Sequence, residues 1–244
     1  MPSELSPPSG PPAAAPEAEL VARAASGDGE AFTVLMRRHN QLLFRTARSI
    51  LQNDADAEDA VQEAYLRAWR ALGRYRAESR LSTWLVRIVV NEALGRRRRA
   101  GPLTTPLESA MDSPDPRIRV ALADPPEDGP EASVARREVR EQLEAEIDRL
   151  PEGFRTVFVL RAVEEMSVEE IAETLEIPAA TVRTRYFRAR NLLRATLESA
   201  IPAPLRSAYA FDGERCDRIV ARVLARARAE GLAVGSGTGV PEAP

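Results

Sequence analysis

The sequence predicts an all-α fold, and three observations carry that prediction. Apolar side chains recur at three- and four-residue steps along most of the chain, which is the spacing of one helix face. Aromatic residues make up only 5% of the 244 residues, which fits helices built on Leu, Ala, Val and Ile better than an aromatic-rich β-sandwich. Prolines cluster in a few segments, so the helical stretches lie between them.

The first helical unit is predicted at 17–99, after a Pro/Ala/Ser-rich tail at 1–16 that we expect to be disordered. One apolar face of this unit comprises Phe32, Leu35, Met36, Leu42, Leu43, Ala47 and Ile50. A turn at Asn53 and Asp54 separates this helix from the next, which ends at Gly73. A basic loop at 74–80 then leads into a further helix from about Ser82.

Residues 100–132 are predicted to form a flexible linker. Prolines recur throughout this segment, and its acidic residues outnumber its basic ones. Proline-rich, charged segments of this kind do not form regular structure. We therefore expect two small helical domains joined by an acidic, Pro-rich tether.

The second unit, at 133–200, contains a predicted helix-turn-helix at about 167–194. Ser167 and Glu170 have the spacing of a capping box, which predicts that a helix begins after Ser167. Pro178 cannot continue that helix but suits the start of the next. A short helix, a three-residue turn and a proline-started second helix together indicate a DNA-reading element.

The second helix of this element has two distinct faces. The packing face comprises Val182, Tyr186, Ala189 and Leu193. The other face comprises Arg183, Thr184, Phe187 and Arg188. An arginine fork can bind the N7 and O6 atoms of guanine, and apolar atoms can touch thymine methyl groups, so this second face suits a major groove. The alternative is an ordinary helical hairpin with a solvated arginine face.

A C-terminal extension at 201–230 contains one more predicted amphipathic helix, from about Asp212 to Arg228. Its apolar face comprises Cys216, Ile219, Val220, Val223 and Leu224. Because most amphipathic helices complete a core, we expect it to pack on the second unit; the alternative is that it binds a regulator. Residues 231–244 are a Gly/Pro tail that we expect to be disordered.

Composition argues against several classes of function. The chain has one cysteine and one histidine, so it cannot form an internal disulfide or a typical structural zinc site. No phosphate-binding glycine loop, metal-ligand cluster or nucleophile motif is present, so we expect no enzyme activity, no cofactor and no metal. No apolar run approaches the length of a membrane span, and the N-terminus lacks signal-peptide features, so we expect a cytoplasmic protein.

Two motif blocks resemble the extracytoplasmic-function sigma factors. The motifs that resemble the family's domain four are Leu150-Pro151-Glu152, Glu165-Met166-Ser167, Ile171-Ala172-Glu173, Thr181 to Arg185 and Arg188-Ala189-Arg190. Those that resemble its polymerase-binding and promoter-melting regions are Asp56 to Glu63 with Trp69, and Ser82 to Leu85 with Arg87, Ile88 and Asn91. The resemblance covers about 18–99 and 136–195, and it implies a sigma initiation factor that directs core RNA polymerase to promoters.

The resemblance also implies roles for individual residues. Those implied to dock on the polymerase β′ clamp helices are Asp59, Gln62, Glu63 and Tyr65. Those implied to act at the minus-ten element are Arg74, Tyr75, Arg76, Arg80, Arg87 and Asn91. Those implied to read the minus-thirty-five element are Thr181, Arg183, Thr184, Phe187 and Arg188. Trp84 is left open between a core residue, which its spacing favours, and a base wedge. Gly95 departs from the family, which often has Asp at that position.

The partners implied are promoter DNA and core RNA polymerase, bound through the β′ clamp helices and the β flap, with an anti-sigma factor as a further candidate. An acidic face at 59, 62 and 63 suits a basic partner helix, although in an isolated segment it would indicate only a solvated surface. The linker is interpreted as a mimic of the phosphate chain in the polymerase channel or as a passive tether. A stand-alone helix-turn-helix regulator is the competing function, but it leaves residues 54–99 unexplained.

Overall fold

The computed structural model describes residues 15–100, 130–196 and 208–232. The elements in those ranges are helices: α1 (Glu17–Ala25), α2 (Gly29–Leu51), α3 (Asp54–Ala71), α4 (Leu81–Ala100), α5 (Pro130–Arg149), α6 (Glu152–Phe158), α7 (Val168–Leu175), α8 (Ala179–Thr196) and α9 (Gly213–Ala229). A 3-10 turn at Leu72–Arg74 follows α3, and a π turn at Val159–Val163 continues α6. The all-α prediction is confirmed for the described ranges. The two predicted tails and the linker lie almost entirely outside them.

The first unit, α1 to α4, is built around an aromatic cluster. The ring of Phe32 stacks on Trp69 with centroids 4.1 Å apart and meets Tyr65 edge-on at 5.9 Å. The polar atoms of both partners are satisfied, because the Trp69 indole donates to the Ala24 carbonyl and the Tyr65 hydroxyl donates to the Met36 carbonyl. These bonds fix the rotation of α3 about its own axis. The side of α3 opposite Tyr65 and Trp69 therefore faces outward.

The second unit, α5 to α8, contains the predicted helix-turn-helix. The capping box forms as expected: the Glu170 amide donates to Ser167 Oγ at 3.1 Å, and the Ser167 amide donates to the Glu170 carboxylate at 2.8 Å. Glu176 ends α7 in a left-handed conformation with φ of 53°. The second helix then begins at Ala179, directly after Pro178. The predicted helix-turn-helix is therefore confirmed in geometry.

The two units contact each other, which the sequence did not predict. Arg155 of α6 is buried and donates to the carbonyls of Ser49, Asp148 and Leu150. Arg45 of α2 pairs with Glu164 at 2.9 Å, and both side chains are largely buried. These contacts are made by charged side chains, which carry no apolar periodicity, so the hydrophobic pattern gave no sign of them.

The expected position of the C-terminal helix was wrong. Helix α9 exists close to its predicted bounds, with Asp212 as its N-cap, but it packs on α2 and α3 of the first unit. Its buried apolar residues are Ile219, Val220, Val223 and Ala227. The choice of surface follows from charge, since the arginine row of α9 faces the acidic side of α3. A prediction from apolar spacing alone could not weigh that complementarity.

Candidate nucleic-acid and partner interfaces

Helix α8 presents the residues that the sequence assigned to DNA reading on its exposed side. Val182, Ala189 and Leu193 are buried, so the predicted packing face is confirmed, and Tyr186 stacks on Phe158 at 6.2 Å. The opposite side exposes Arg183, Thr184, Phe187 and Arg188, while Thr181 is half-buried at the start of the helix. Phe187 is 64% exposed. A ring that is mostly exposed contributes little to the stability of the fold, whereas an apolar ring beside arginine forks can contact base edges.

The polar groups on this side of α8 make few contacts with the rest of the described protein. Arg183 Nη2 lies 3.2 Å from the Glu169 carboxylate of α7, and both side chains are mostly exposed. Exposed ion pairs of this kind contribute little to stability, so the guanidinium can exchange its carboxylate for a base or a phosphate. The Thr184 hydroxyl donates to the Ala180 carbonyl at 2.9 Å, which satisfies it within the helix.

The loop before α4 places an aromatic pair among arginines. The Tyr75 and Trp84 rings lie 5.3 Å apart at an interplanar angle of 46°, and both are half-buried. The Tyr75 hydroxyl donates to the Ser79 carbonyl at 2.6 Å, which closes the loop. The flanking arginines, Arg74, Arg76 and Arg80, are exposed. The structure thus places Trp84 partly in the core and partly at the surface, in a setting suited to stacking an unpaired base.

Two of the residues assigned to the minus-ten element contact the second unit. Arg80 Nη1 lies 3.3 Å from the Glu170 carboxylate, and Arg87 Nη1 lies 3.9 Å from the Glu173 carboxylate, both on α7. Asn91, one helical turn beyond Arg87 on α4, is exposed. In this arrangement Glu170 and Glu173 of α7 pair with two arginines of the basic loop and α4, and because these pairs are exposed and weak, phosphates can replace the two carboxylates.

The acidic face of α3 is the candidate docking surface for a protein. Asp59 and Glu63 lie on its outer side, as the sequence predicted. Gln62 is 7% exposed, and its Nε2 has no hydrogen-bond partner among the described residues. Tyr65 is 1% exposed and belongs to the aromatic core, so in this arrangement it is not a surface group.

Helix α9 covers that acidic face. Arg222 Nη1 lies 3.8 Å from the Asp59 carboxylate, and Arg226 donates to Glu63 at 3.0 Å. Burial alone would raise the pKa of Glu63, but the hydrogen bonds and charges of Arg226 and Arg67 together hold it below its ordinary value. Arg226 of α9 and Arg67 of α3 itself therefore both stabilise the Glu63 carboxylate.

Two further acids of α3 belong to the same surface and were missed at the sequence level. Asp54 pairs with Arg215 at 2.8 Å, and Glu58 pairs with Arg218 at 2.9 Å. The signal was present as arginines at 215, 218, 222 and 226, a three- and four-residue spacing that aligns cations along one helix. We use the name α3 acidic face for Asp54, Glu58, Asp59 and Glu63.

Other kinds of site find no support in the ranges 15–100, 130–196 and 208–232. Those ranges contain no cluster of three or more His, Cys, Asp or Glu side chains that could hold a metal ion. None of the helices described there is both long and apolar enough to cross a membrane. His39 contacts Glu17 at 3.2 Å within the first unit.

Comparisons with known proteins match both units of the chain. The Sigma-70 region 2 family model matches residues 35–102, and the Sigma-70 region 4 model matches residues 140–193. The RNA polymerase sigma-H factor of Pseudomonas aeruginosa is 34% identical over 187 residues, covering 74% of this chain and 93% of its own length. The ECF RNA polymerase sigma-E factor of Escherichia coli K12 is 34% identical over 180 residues, covering 71% of this chain and 90% of its own length.

The fold also matches a solved structure. CnrH, determined in complex with the cytosolic domain of CnrY, superposes with a TM-score of 0.52 at 29% identity, covering 74% of this chain and 96% of that one. Helix α9 lies outside both family-model matches, which end at residues 102 and 193. The C-terminal extension is therefore an addition to the two matched regions.

Proposed function

The chain belongs to the extracytoplasmic-function sigma factors, and from that membership we propose which of its residues carry each step of promoter-directed initiation. Membership rests on the ordered matches to sigma regions 2 and 4 and on relatives of 34% identity along most of their length. The protein is a sigma initiation factor: it binds core RNA polymerase and directs it to promoters to start transcription. Sigma factors are initiation factors rather than enzymes, so the functional residues are binding residues.

We assign reading of the minus-thirty-five element to the exposed side of α8. The single observation that supports this most strongly is the exposed Phe187 ring beside Arg183 and Arg188 on the second helix of a helix-turn-helix. Residues near the start of such a helix contact base edges, where an arginine fork discriminates guanine by about 1–3 kcal/mol. Thr181 and Thr184 complete the assigned set.

We assign the minus-ten element to the basic loop and to α4. Arg74, Arg76 and Arg80 would hold the phosphates of the separated strand, and the Tyr75–Trp84 pair would stack an unpaired base. The roles of Arg87 and Asn91 follow from their place on the same surface of α4 and from the family resemblance. In this assignment the second unit anchors the duplex, and the first unit separates the strands.

We assign polymerase docking to the α3 acidic face and extend it from Asp59 and Glu63 to Asp54 and Glu58. With α9 docked, Asp54 and Asp59 are exposed, whereas Glu63 is half-buried and Glu58 is buried against Arg215 and Arg218. A basic partner helix in the place of α9 can meet these carboxylates together. Gln62 lies within this face, and Tyr65 is left out of it because its side chain is in the core. Since the partners are polymerase and the chromosome, we place the site of action in the cytoplasm.

CnrH was captured with the cytosolic domain of CnrY. By analogy, we propose an anti-sigma factor as a third class of partner for this chain. The relevant observation is the same acidic face, because a basic helix from any protein could occupy it. A pull-down from the source cells under conditions that exclude polymerase would recover such a partner.

Binding assays with and without polymerase test the assigned function. The protein should bind purified core RNA polymerase, and the resulting holoenzyme should retard promoter DNA in a mobility-shift assay. The free protein should bind the same duplex poorly, because its two DNA surfaces are brought to the promoter by polymerase. Tight and sequence-specific binding by the free protein, without any affinity for core enzyme, would instead establish a stand-alone helix-turn-helix regulator.

A further inference from the structure

Helix α9 makes a contact with α3 that neither family region explains. It lies beyond the region 4 match, which ends at residue 193, yet it contacts the helix at the centre of region 2. The α3 acidic face that it covers is the one we assign to core polymerase. Because α9 and core polymerase would occupy the same surface, they exclude each other. The position of α9 therefore affects polymerase docking.

The contact between α9 and α3 follows a charge register along both helices. The paired residues are Arg215 with Asp54 and Glu58, Arg218 with Glu58, Arg222 with Asp59, and Arg226 with Glu63. The numbers rise together on both sides, so the two helices run in the same chain direction. A chance encounter of two amphipathic helices would not align four arginines with four carboxylates.

An apolar seam and an anchored start hold α9 in this register. Ile219, Val220 and Val223 are buried beneath the arginine row. Upstream, the Tyr209 hydroxyl donates to Asp148 at 2.7 Å, and the Phe211 ring lies 5.5 Å from Phe44. Because the segment before α9 is tied to both units, the helix is presented to α3 at a high effective concentration.

The contact between α9 and α3 is also weak enough to be reversible. The side chains of Arg218, Arg222 and Arg226 are each about half exposed, and exposed ion pairs are individually weak and are screened by salt. Gln62 of α3 is buried with its Nε2 unpartnered among the described residues, so one donor of this helix remains unsatisfied while α9 is docked. A partner that satisfied that amide and offered a larger surface would displace α9.

We propose that α9 is an intramolecular competitor of core RNA polymerase for the α3 acidic face. The inference rests on the proposed docking face and adds its regulation. While α9 is docked, Asp59 and Glu63 are occupied, so only the fraction of molecules with α9 released can bind polymerase. The face thus accepts a basic amphipathic helix with arginines at three- and four-residue spacing, supplied in cis by α9 and in trans by the partner.

The test uses full-length protein with single changes confined to α9, so the docking face stays intact. Arg226→Glu reverses a paired charge, and Arg228→Glu is its matched control, because Arg228 is exposed and has no carboxylate partner in the described ranges. Val223→Asp places a charge in the buried seam, and Ala221→Asp places the same charge on the exposed side of α9. Hydrogen exchange in α9 and α3 reports release directly, and circular dichroism reports the overall fold.

Arg226→Glu and Val223→Asp should speed exchange in α9 and tighten binding to core polymerase, while both controls should match the wild type. If α9 is docked in about nine of ten molecules, complete release lowers the apparent Kd about tenfold. Released α9 with unchanged or weaker polymerase affinity in a folded variant would overturn the inference while leaving the docking function in place. Failure of every variant and of the wild type to bind core polymerase would instead overturn the docking function, and the inference with it.

Discussion

Arg226 of α9 donates to Glu63 of α3 at 3.0 Å. This bond joins an extension outside both matched sigma regions to a carboxylate on the proposed polymerase-docking face. Near the other end of the contact, Arg215 meets Asp54 at 2.8 Å, so the relationship spans about two and a half turns of α3. The docking face and its cover are thus one structural unit in the free protein.

Replacing Arg183 should alter promoter choice more than promoter affinity. Arg183→Ala should reduce discrimination at one base pair of the minus-thirty-five element by about 1–3 kcal/mol, the value of one bidentate base contact. Arg194→Ala is the matched control, since Arg194 is exposed on the same helix three turns further on. Selection of promoters from a randomised minus-thirty-five pool by the holoenzyme measures both. An unchanged base preference in Arg183→Ala would show that the assigned reading face is wrong.

Removing two charges from the docking face should weaken polymerase binding. In the Val223→Asp background, where α9 no longer competes, Asp59→Asn with Glu63→Gln should lower core affinity at least tenfold, since close charge pairs across an interface couple by about 1.5 kcal/mol or more. The control is Glu30→Gln with Glu138→Gln, which removes two exposed acids from other helices. Fluorescence anisotropy with labelled protein reports the affinity. Equal affinities for the two double variants would refute the docking face.

Removing the Trp84 ring should impair strand separation. Trp84→Ala should weaken the melted complex by about 1–3 kcal/mol if the ring stacks one base. Permanganate reactivity of promoter thymines measures the melting. Because Trp84 also contacts the core, Trp84→Phe is the control, since a smaller ring at the same place can still stack a base and should retain most of the melting. An equal loss of melting in Trp84→Phe and Trp84→Ala would assign Trp84 to packing alone.

Removing the buried arginine of α6 should separate the two units. Arg155→Leu leaves the carbonyls of Ser49, Asp148 and Leu150 without this donor, at a cost of about 1–3 kcal/mol for each group that stays buried. Thermal unfolding and the radius of gyration from small-angle scattering measure stability and separation. Arg161→Leu is the control, because among the described residues Arg161 donates within the second unit, to the Met166 carbonyl. Equal melting temperatures and equal radii of gyration in the two variants would show that Arg155 does not hold the units together.

The single histidine should make stability fall on mild acidification. Burial lowers the pKa of His39 below its ordinary value of 6.5, and the nearby charge of Arg38 adds to this while Glu17 opposes it. The folded protein therefore binds a proton less readily than the unfolded chain, so this contribution to stability is complete above pH 6.5 and is lost as pH falls through the lower folded pKa. Urea unfolding between about pH 5 and 7, where histidine titrates, measures the slope. His39→Gln should flatten that slope, and an unchanged slope would assign it to other groups.

The sequence predicted most of what depends on local spacing. The capping box at Ser167 and Glu170, the turn before Pro178 and the two faces of α8 all follow from patterns within a few residues. The contacts of Arg45 with Glu164 and of Arg155 with three carbonyls did not, because a buried arginine looks like any surface arginine in a sequence. Tyr65 shows the opposite case. The family resemblance suggested a role at the surface, whereas its ring completes the core of the first unit.

Helix α9 shows that an amphipathic pattern can predict a helix without predicting the surface on which that helix packs. The apolar stripe established that the helix needs a partner surface. Only the pairing of Arg218, Arg222 and Arg226 with the carboxylates of α3 decides which surface that is. Such complementarity between segments about 160 residues apart becomes visible only once both are folded.

Run-off transcription measures directly whether this chain starts transcription at specific promoters. Core RNA polymerase is incubated with a library of genomic promoter fragments, alone, with the wild-type protein and with Val223→Asp. We expect no discrete transcripts from core enzyme alone, a defined set with the wild type, and the same set in greater amount with Val223→Asp at limiting protein. An absence of discrete transcripts above the core-only background with either protein would contradict promoter-directed initiation by this chain.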